Sequence, residues 1–324
     1  METQRARWKR IATMGYAAAP GLTVLGFVMA ADLVFCALGL IVDRRVITGA
    51  PAWLKPLKFA VSTMIAAWSF AFCIASARIW PRIRRALDFI LAMALLIEIV
   101  LIDMQAARGT SSHFNFSSKF DGAVFEVMGV SIACIWIAML LLTVVLFRQP
   151  FAGSAWGWSL RLGMVLAVIG TGSGALMTFP NSGQLAEARA TGKLPIVGAH
   201  TVGGPDGGRG LPGTEWSADH GDLRIAHFVG MHGLQVLPLL AWWMRRRSRL
   251  DERTQRNLIF TAGASYLGIF GLVLWQAFRG QSIAQPDGTT FQSFGAWLAI
   301  TLVTMSAIYS SRIRNTVRTE KGVR

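Results

Sequence analysis

The chain contains two copies of a Gln-x-x-Arg pair. Gln105 and Arg108 recur as Gln276 and Arg279, and each pair stands where a long apolar stretch meets a polar loop. Because the two residues of a pair are three apart, they lie on successive turns of a helix. Arginine binds carboxylates and phosphates through paired hydrogen bonds. Together with Lys58, near the start of another apolar stretch, these residues predict a binding site for a small anionic ligand.

Two other roles are open for these arginines. A long basic side chain near a membrane surface can extend toward the lipid headgroups. Alternatively, Arg108 and Arg279 neutralise acids of the same protein, with Glu98, Asp103 and Glu126 as candidates. Buried ion pairs are costly unless they are well satisfied, so such pairs are weak evidence of a function. The sequence leaves the anion pocket and the internal ion pair both open.

Four acidic residues interrupt apolar stretches: Asp32, Glu98, Asp103 and Glu126. A charge at the middle of a membrane helix costs roughly 2.5–3.5 kcal/mol on insertion scales, so such residues usually face the protein interior and have a partner. We therefore expect these acids to carry protons or to supply counter-charge.

All five histidines are predicted to lie on one side of the membrane, and His113, His227 and His232 are the candidate metal ligands among them. Histidine is the commonest metal ligand and the usual proton carrier near neutral pH. His227 and His232 are five residues apart and point about 140° away from each other on a helix. A haem or a divalent metal would therefore need a further ligand from another element. A hydrogen-bonded structural role is the alternative, and the cofactor stays unknown.

Long apolar stretches must position these side chains. We identify eight, at about 21–42, 57–77, 86–105, 122–147, 158–179, 223–244, 257–278 and 291–310. Each can cross a hydrocarbon core roughly 30 Å thick, and in lipid each must close its own backbone hydrogen bonds as a helix. The composition agrees, since only 15% of the residues are charged. The predicted fold class is all-α, a polytopic integral membrane bundle of eight transmembrane helices.

The resemblance between the two Gln-x-x-Arg sites continues in the neighbouring sequence. Both are followed by Asp-Gly-x-x-Phe, at 121–125 and 287–291, and the segment at 54–59 resembles the one at 223–228. Spans one to four therefore correspond to spans five to eight. Because four crossings are an even number, the two halves share one orientation and would be related by a pseudo-twofold axis along the membrane normal.

This duplication predicts two four-helix repeats, at residues 1–152 and 153–324. The second repeat contains a long outer loop at 180–222, which is rich in glycine. We interpret this loop as a turn-rich cap on the outer side, because its glycine spacing is wrong for a phosphate-binding fingerprint.

The formal net charge of +15 is explained by topology. Most of the basic residues fall on segments that would face the cytoplasm, beginning with Arg5, Arg7, Lys9 and Arg10. An excess of Lys and Arg on the cytoplasmic side orients multispan proteins. We therefore predict a protein of the cytoplasmic (inner) membrane with both termini in the cytoplasm. The bilayer is the expected partner, because anionic lipid attracts basic segments, and nucleic acid is not.

The leading functional prediction is the binding or proton-coupled transport of a small anionic ligand, in an intramembrane pocket that opens outward between the two halves. The alternative is a membrane-embedded oxidoreductase that holds haem or a metal with its outer-side histidines. A structural or assembly protein, in which buried charges only set the register of the helices, is the third prediction. No sequence motif names a substrate or the oligomeric state.

Overall fold

The computed structural model describes residues 16–247 and 250–322, which are mostly helical. The helices are α1 Pro20–Val42, α2 Leu54–Ser76, α3 Pro81–Arg108, α4 Lys119–Arg148, α5 Ser154–Ser173, α6 Ser182–Thr191, α7 Leu223–Arg247, α8 Glu252–Phe278 and α9 Gly288–Gly322. Two short antiparallel strand pairs join β1 Val46–Ile47 to β2 Ala50–Pro51, and β3 Thr201–Val202 to β4 Gly221–Asp222. The basic N-terminal segment that is predicted to face the cytoplasm, Arg5 to Arg10, lies outside the described residues.

Among the described residues, seven helical stretches are long and apolar enough to cross a membrane, by length and composition. They are Pro20–Val42, Leu54–Ser76, Lys119–Arg148, Ser154–Thr191, Leu223–Arg246, Glu252–Phe278 and Gly288–Ser311. The predicted multispan helical character is confirmed at this level. Helix α3, the remaining predicted span, is not among the seven. Three acids interrupt its sequence, and eleven of its residues are buried. The count of eight spans stays a prediction.

The described residues form two compact units. The first unit consists of residues 16–145, 177–199 and 206–209, and it contains α1, α2, α3, most of α4, and α6. The second unit consists of residues 146–176 and 200–205 and the described part of 210–322, and it contains α5, α7, α8 and α9. The predicted pseudo-symmetry of the repeats at 1–152 and 153–324 stays a prediction, because a division of the chain does not establish a symmetry.

A side chain of α3 caps the start of α1. The carboxylate of Asp88 accepts hydrogen bonds from the backbone N–H groups of Gly21 and Leu22, both at 2.9 Å. The residue before the helix, Ala19, has no side chain that can accept such a bond. Asp88 therefore satisfies two of the amides that the first turn of a helix leaves without a partner. This contact holds α1 against α3 in the first unit.

In the second unit, α5 and α7 approach each other through glycines. A Cβ atom added at Gly170 would lie only 2.4 Å from the carbonyl carbon of Gly230, and one added at Gly163 would lie 2.9 Å from the carbonyl oxygen of Gly233. Small residues let membrane helices pack backbone to backbone. These positions therefore require glycine for the observed helix spacing.

The predicted outer loop at 180–222 contains more regular structure than expected. Helix α6 lies within it and begins with a reciprocal cap, in which Asn181 Oδ1 accepts from Gln184 N and Gln184 Oε1 accepts from Asn181 N. Gly192 ends the helix in a left-handed conformation, with φ of 68°. The cap and the terminal glycine explain why a ten-residue helix forms in a loop that the glycine content alone marks as irregular.

Candidate functional site

Two carboxylates from different helices meet in the first unit. Asp32 on α1 and Asp103 on α3 each offer an oxygen, and Cys36 offers its sulfur; these ligand-type atoms all lie within 4.8 Å of one another. The Cys36 thiol donates to Asp32 Oδ1 at 3.8 Å. Because Asp32 and Cys36 are four residues apart on α1, they share one face of that helix. We call these three residues the aspartate pair site.

Both aspartates of the aspartate pair site are half-buried, and one oxygen of each is shielded from solvent. Asp32 Oδ2 and Asp103 Oδ1 are inaccessible to solvent and accept no hydrogen bond from any other described residue. Two ionised carboxylates at this separation repel each other. The two carboxyl groups are close enough to hydrogen bond when one of them carries a proton. The arrangement therefore suits the sharing of one proton, or the binding of a cation, between Asp32 and Asp103.

A second buried acid contacts a histidine from a loop. Glu98 Oε1 on α3 lies 3.6 Å from His113 Nε2, and the Glu98 side chain is only 4% exposed. Its other oxygen, Oε2, is buried without a hydrogen-bond partner among the described residues. His113 Nδ1 lies 3.1 Å from Ser112 Oγ. Three phenyl rings surround the imidazole, with centroids 5.8–6.1 Å away: Phe59, Phe114 and Phe125.

The loop that carries His113 reaches back along α3. Glu98 is ten residues before the end of the helix, or about 15 Å at 1.5 Å per residue. The backbone of Phe114 is left-handed, with φ of 63°. The loop is held by residues that follow α6, since Phe116 N donates to Pro195 O at 2.8 Å and Val197 N donates to Phe114 O at 3.0 Å. These bonds bring the imidazole to the level of Glu98.

Arg108 forms an internal ion pair. Its Nη1 lies 2.6 Å from Asp121 Oδ1 and also donates to Gln105 Oε1. Gln105, which is fully buried, donates from Nε2 to the same Asp121 oxygen at 2.9 Å. The partner of the arginine is thus the aspartate of the Asp-Gly-x-x-Phe element, and none of the three acids considered from the sequence.

The second copy repeats the arginine–aspartate contact. Arg279 Nη2 donates to Asp287 Oδ2, and its Nη1 donates to Thr290 Oγ1 at 3.0 Å. The hydrogen bonds from Arg279 hold the pKa of the Asp287 carboxyl well below its usual range. Gln276 differs from its counterpart, because its Nε2 donates to the carbonyl of Ser282 at 2.9 Å rather than to the aspartate.

The backbone after each arginine also matches. Gly109 and Gly280 both adopt left-handed conformations, with φ of 77° and 69°. In each copy the amide two residues after the arginine donates to the glutamine carbonyl, at 3.0 Å in the first and 3.2 Å in the second. Such bonds are typical of a glycine-terminated helix. The sequence repeat therefore corresponds to one repeated local structure, a helix end tied to the next helix by an ion pair.

Two further arginine–aspartate contacts share a local geometry, although the repeat aligns Arg224 with Lys55 and not with Arg45. Arg45 and Arg224 each bind the aspartate two residues before them, Asp43 and Asp222, with the terminal nitrogen 2.6 Å from Oδ2 in both cases. Arg45 also donates to the carbonyl of Ala107 at 3.0 Å. The Asp-x-Arg spacing was the signal that could have revealed this pair of contacts.

The two histidines of α7 have partners of their own within the second unit. His227 Nδ1 lies 2.7 Å from the carbonyl oxygen of Gly170, and His232 Nδ1 lies 3.2 Å from Gln235 Oε1. Glu126 is exposed and Lys58 is half-buried. Within residues 16–247 and 250–322, one group of three ligand-type side chains lies close enough together to share an ion. This group is the aspartate pair site, which contains no histidine. A histidine-bound haem or metal stays a prediction.

Sequence patterns identified Asp32 and Asp103 separately but not as a pair. Comparison of the chain with protein-family models, with curated proteins and with solved structures found no match.

Proposed function

We propose that this chain is a multi-pass membrane protein that couples protons to the binding or transport of a small ligand, with Asp32 and Asp103 as its proton site. One observation carries the proposal: two carboxylates from different helices converge, and one oxygen of each is inaccessible to solvent and accepts no hydrogen bond from any other described residue. Ionisable groups within membrane helices commonly mark ion or proton pathways.

The pair can act as a switch because its charge depends on one proton. With a proton shared between Asp32 and Asp103, the site carries a single negative charge, and the two oxygens attract each other through that proton. When the proton leaves, two negative charges face each other in a medium of low dielectric constant, where repulsion is strong. Helices α1 and α3 must then separate, or a cation must enter. Proton release is thereby linked to movement of these helices.

The nitrogens of Arg108 outside its ion pair support the binding of an anionic ligand. This arginine uses Nη1 for both Gln105 and Asp121, and its side chain is 41% exposed. The guanidinium carbon of Arg108 lies 4.6 Å from the centroid of the Phe120 ring. The other guanidinium nitrogens of Arg108 remain for a carboxylate or phosphate. Arg279, by contrast, engages Asp287 and Thr290 through both terminal nitrogens. We therefore assign the anion contact to Arg108.

The membrane arrangement of this proposal includes α3 as an eighth span and two related four-helix halves. The matched ion pairs and glycine-terminated helix ends in the two units support the duplication. The basic segments between spans support a cytoplasmic membrane location with both termini in the cytoplasm.

The test compares Asp32→Asn and Asp103→Asn with the exposed-acid control Glu126→Gln, all in lipid vesicles. Infrared spectra should contain the band of a protonated carboxyl group in the wild type and the control. Replacement of either aspartate should remove or shift that band. Proton uptake driven by a gradient of acetate or inorganic phosphate should fall at least tenfold in both aspartate variants.

Unchanged spectra and unchanged proton uptake in both aspartate variants would contradict the proposal. A stoichiometric metal ion that is lost in both variants would also contradict it, because the pair would then bind a metal and not a proton.

A further inference from the structure

We propose that the exposed stripe of α3 binds an anionic phospholipid, with its headgroup at Arg82 and Arg85 and an acyl chain along Phe89, Met93 and Val100. This inference rests on the proposed position of α3 as an eighth span, but it does not depend on the aspartate pair site. We call the five residues the α3 stripe.

The α3 stripe follows from helical spacing. Its members are separated by three, four, four and seven residues, so at 100° per residue they lie along one line of the helix. Both arginines are exposed, and Phe89, Met93 and Val100 are 66%, 38% and 54% exposed. The opposite face of α3 is buried, through residues such as Leu91, Leu95 and Ile102. The stripe is therefore part of the exposed side of α3, opposite its buried face.

The dimensions of the stripe fit one lipid leaflet. Phe89 and Val100 are eleven residues apart, or about 16 Å along the axis at 1.5 Å per residue. A single leaflet contributes about half of a hydrocarbon core roughly 30 Å thick. The apolar part of the stripe therefore matches the length of one acyl chain, and the arginines stand where its headgroup would be.

The charges at the end of the stripe are not compensated by the protein. Arg82 makes no hydrogen bond or ion pair with the rest of the described chain. Arg85 donates from Nε to the carbonyl of Pro81 at 3.3 Å, which satisfies one N–H but adds no negative charge. Next to them, Trp80 is 79% exposed, as is usual for tryptophan at a membrane interface.

This combination selects an anionic phospholipid. Guanidinium groups bind phosphate oxygens through strong charge-assisted hydrogen bonds, and basic clusters beside membrane helices attract anionic lipid. A zwitterionic lipid brings its own cation and would gain less from two arginines. A free phosphate ion could use the arginines but not the apolar residues below them.

The experiment measures lipid retained by the purified protein in mild detergent, using native mass spectrometry after incubation with phosphatidylglycerol or phosphatidylcholine. The wild type should retain phosphatidylglycerol at least fivefold more than phosphatidylcholine. The double variant Arg82→Gln, Arg85→Gln should lose this preference. The control, Arg44→Gln with Arg189→Gln, removes the same charge from two other exposed positions and should keep it.

A further variant tests the apolar residues of the α3 stripe, which would contact the acyl chain. Phe89→Ala leaves both arginines in place and should lower retention of phosphatidylglycerol. Because all the altered side chains are exposed, circular dichroism should confirm folding before lipids are added. The proposal fails if the double variant and the control retain phosphatidylglycerol equally. It also fails if inorganic phosphate displaces the lipid at equal concentration, since the stripe would then be a site for phosphate alone.

Discussion

Arg108 and Asp121 join the end of α3 to the start of α4 through a 2.6 Å contact. The aspartate side chain is 7% exposed, whereas the arginine side chain is 41% exposed. Solvent therefore screens the charge attraction, and an exposed ion pair contributes little by itself. The larger consequence concerns Gln105, whose buried amide donates to the same aspartate oxygen. The aspartate satisfies a buried donor as well as a cation.

Replacement of Asp121 by Ala should lower the free energy of unfolding by about 1–3 kcal/mol, because the amide of Gln105 would lose its acceptor. Unfolding of the purified protein in mixed micelles measures the change. The matched control is Asp287→Ala, in the second copy of the motif. Asp287 is 42% exposed, and Gln276 there donates to Ser282 instead, so the control should lose less. Equal losses in the two variants would contradict the role given to Gln105.

Asp88→Ala should destabilise the start of α1 by about 0.5–2 kcal/mol, the usual effect of losing a helix cap. The physical reason is that the amides of Gly21 and Leu22 lose their acceptor. Hydrogen exchange at these two amides measures the change and should become faster. Asp88→Asn keeps one acceptor oxygen and should have an intermediate effect. Unaltered exchange in the alanine variant would show that Asp88 is not the cap.

Sequence patterns were sufficient for the seven described helical stretches that could cross a membrane and for the repeated motif. They were not sufficient for α6 or for the partners of the motif's residues. A long apolar stretch predicts a helix that can cross a membrane without any knowledge of its neighbours. The Gln-x-x-Arg element and the following Asp-Gly-x-x-Phe element were both visible in the sequence. Their contact was not, because thirteen residues separate Arg108 from Asp121 and the loop geometry between them depends on the left-handed Gly109.

The aspartate pair site could be predicted only in part. Asp32 and Asp103 are conspicuous because they interrupt apolar helices. Their proximity depends on the rotation of α1 and α3 about their own axes, which is determined by packing and by the Asp88 cap. Cys36 could have been added from its spacing of four residues from Asp32. His113 could not have been assigned to Glu98, because the loop that carries it reaches back about 15 Å along the helix.

Acidification should loosen the loop between α1 and α2 through Asp43. Hydrogen bonds from the Arg45 side chain lower the pKa of Asp43 below its usual range, while the pKa of Arg45 is raised, so the arginine stays charged. Because the folded-state pKa of Asp43 is lower than the unfolded one, the contact stabilises the loop fully above about pH 4. This stabilisation is lost as the pH falls from there toward the lowered pKa.

Hydrogen exchange of residues 43–53 as a function of pH, corrected for the intrinsic rate, checks this effect of Asp43. Protection should decrease below about pH 4 in the wild type. In Asp43→Asn it should be weaker at neutral pH and should lack that pH dependence. If protection in Asp43→Asn followed the same pH curve as in the wild type, a group other than Asp43 would cause the loss of protection.

Gly170→Ala should separate α5 from α7. The added methyl group would lie 2.4 Å from a backbone carbon of Gly230, and backbone atoms cannot rotate away as the end of a side chain can. Overpacking of this kind costs about 1–3 kcal/mol, measured as unfolding in mixed micelles. Gly271→Ala is the control, since a Cβ at this α8 position has no neighbour within 4 Å, and alanine is the better helix former. The control should be neutral or slightly stabilising. Equal stability of the two variants would contradict the close approach of α5 and α7.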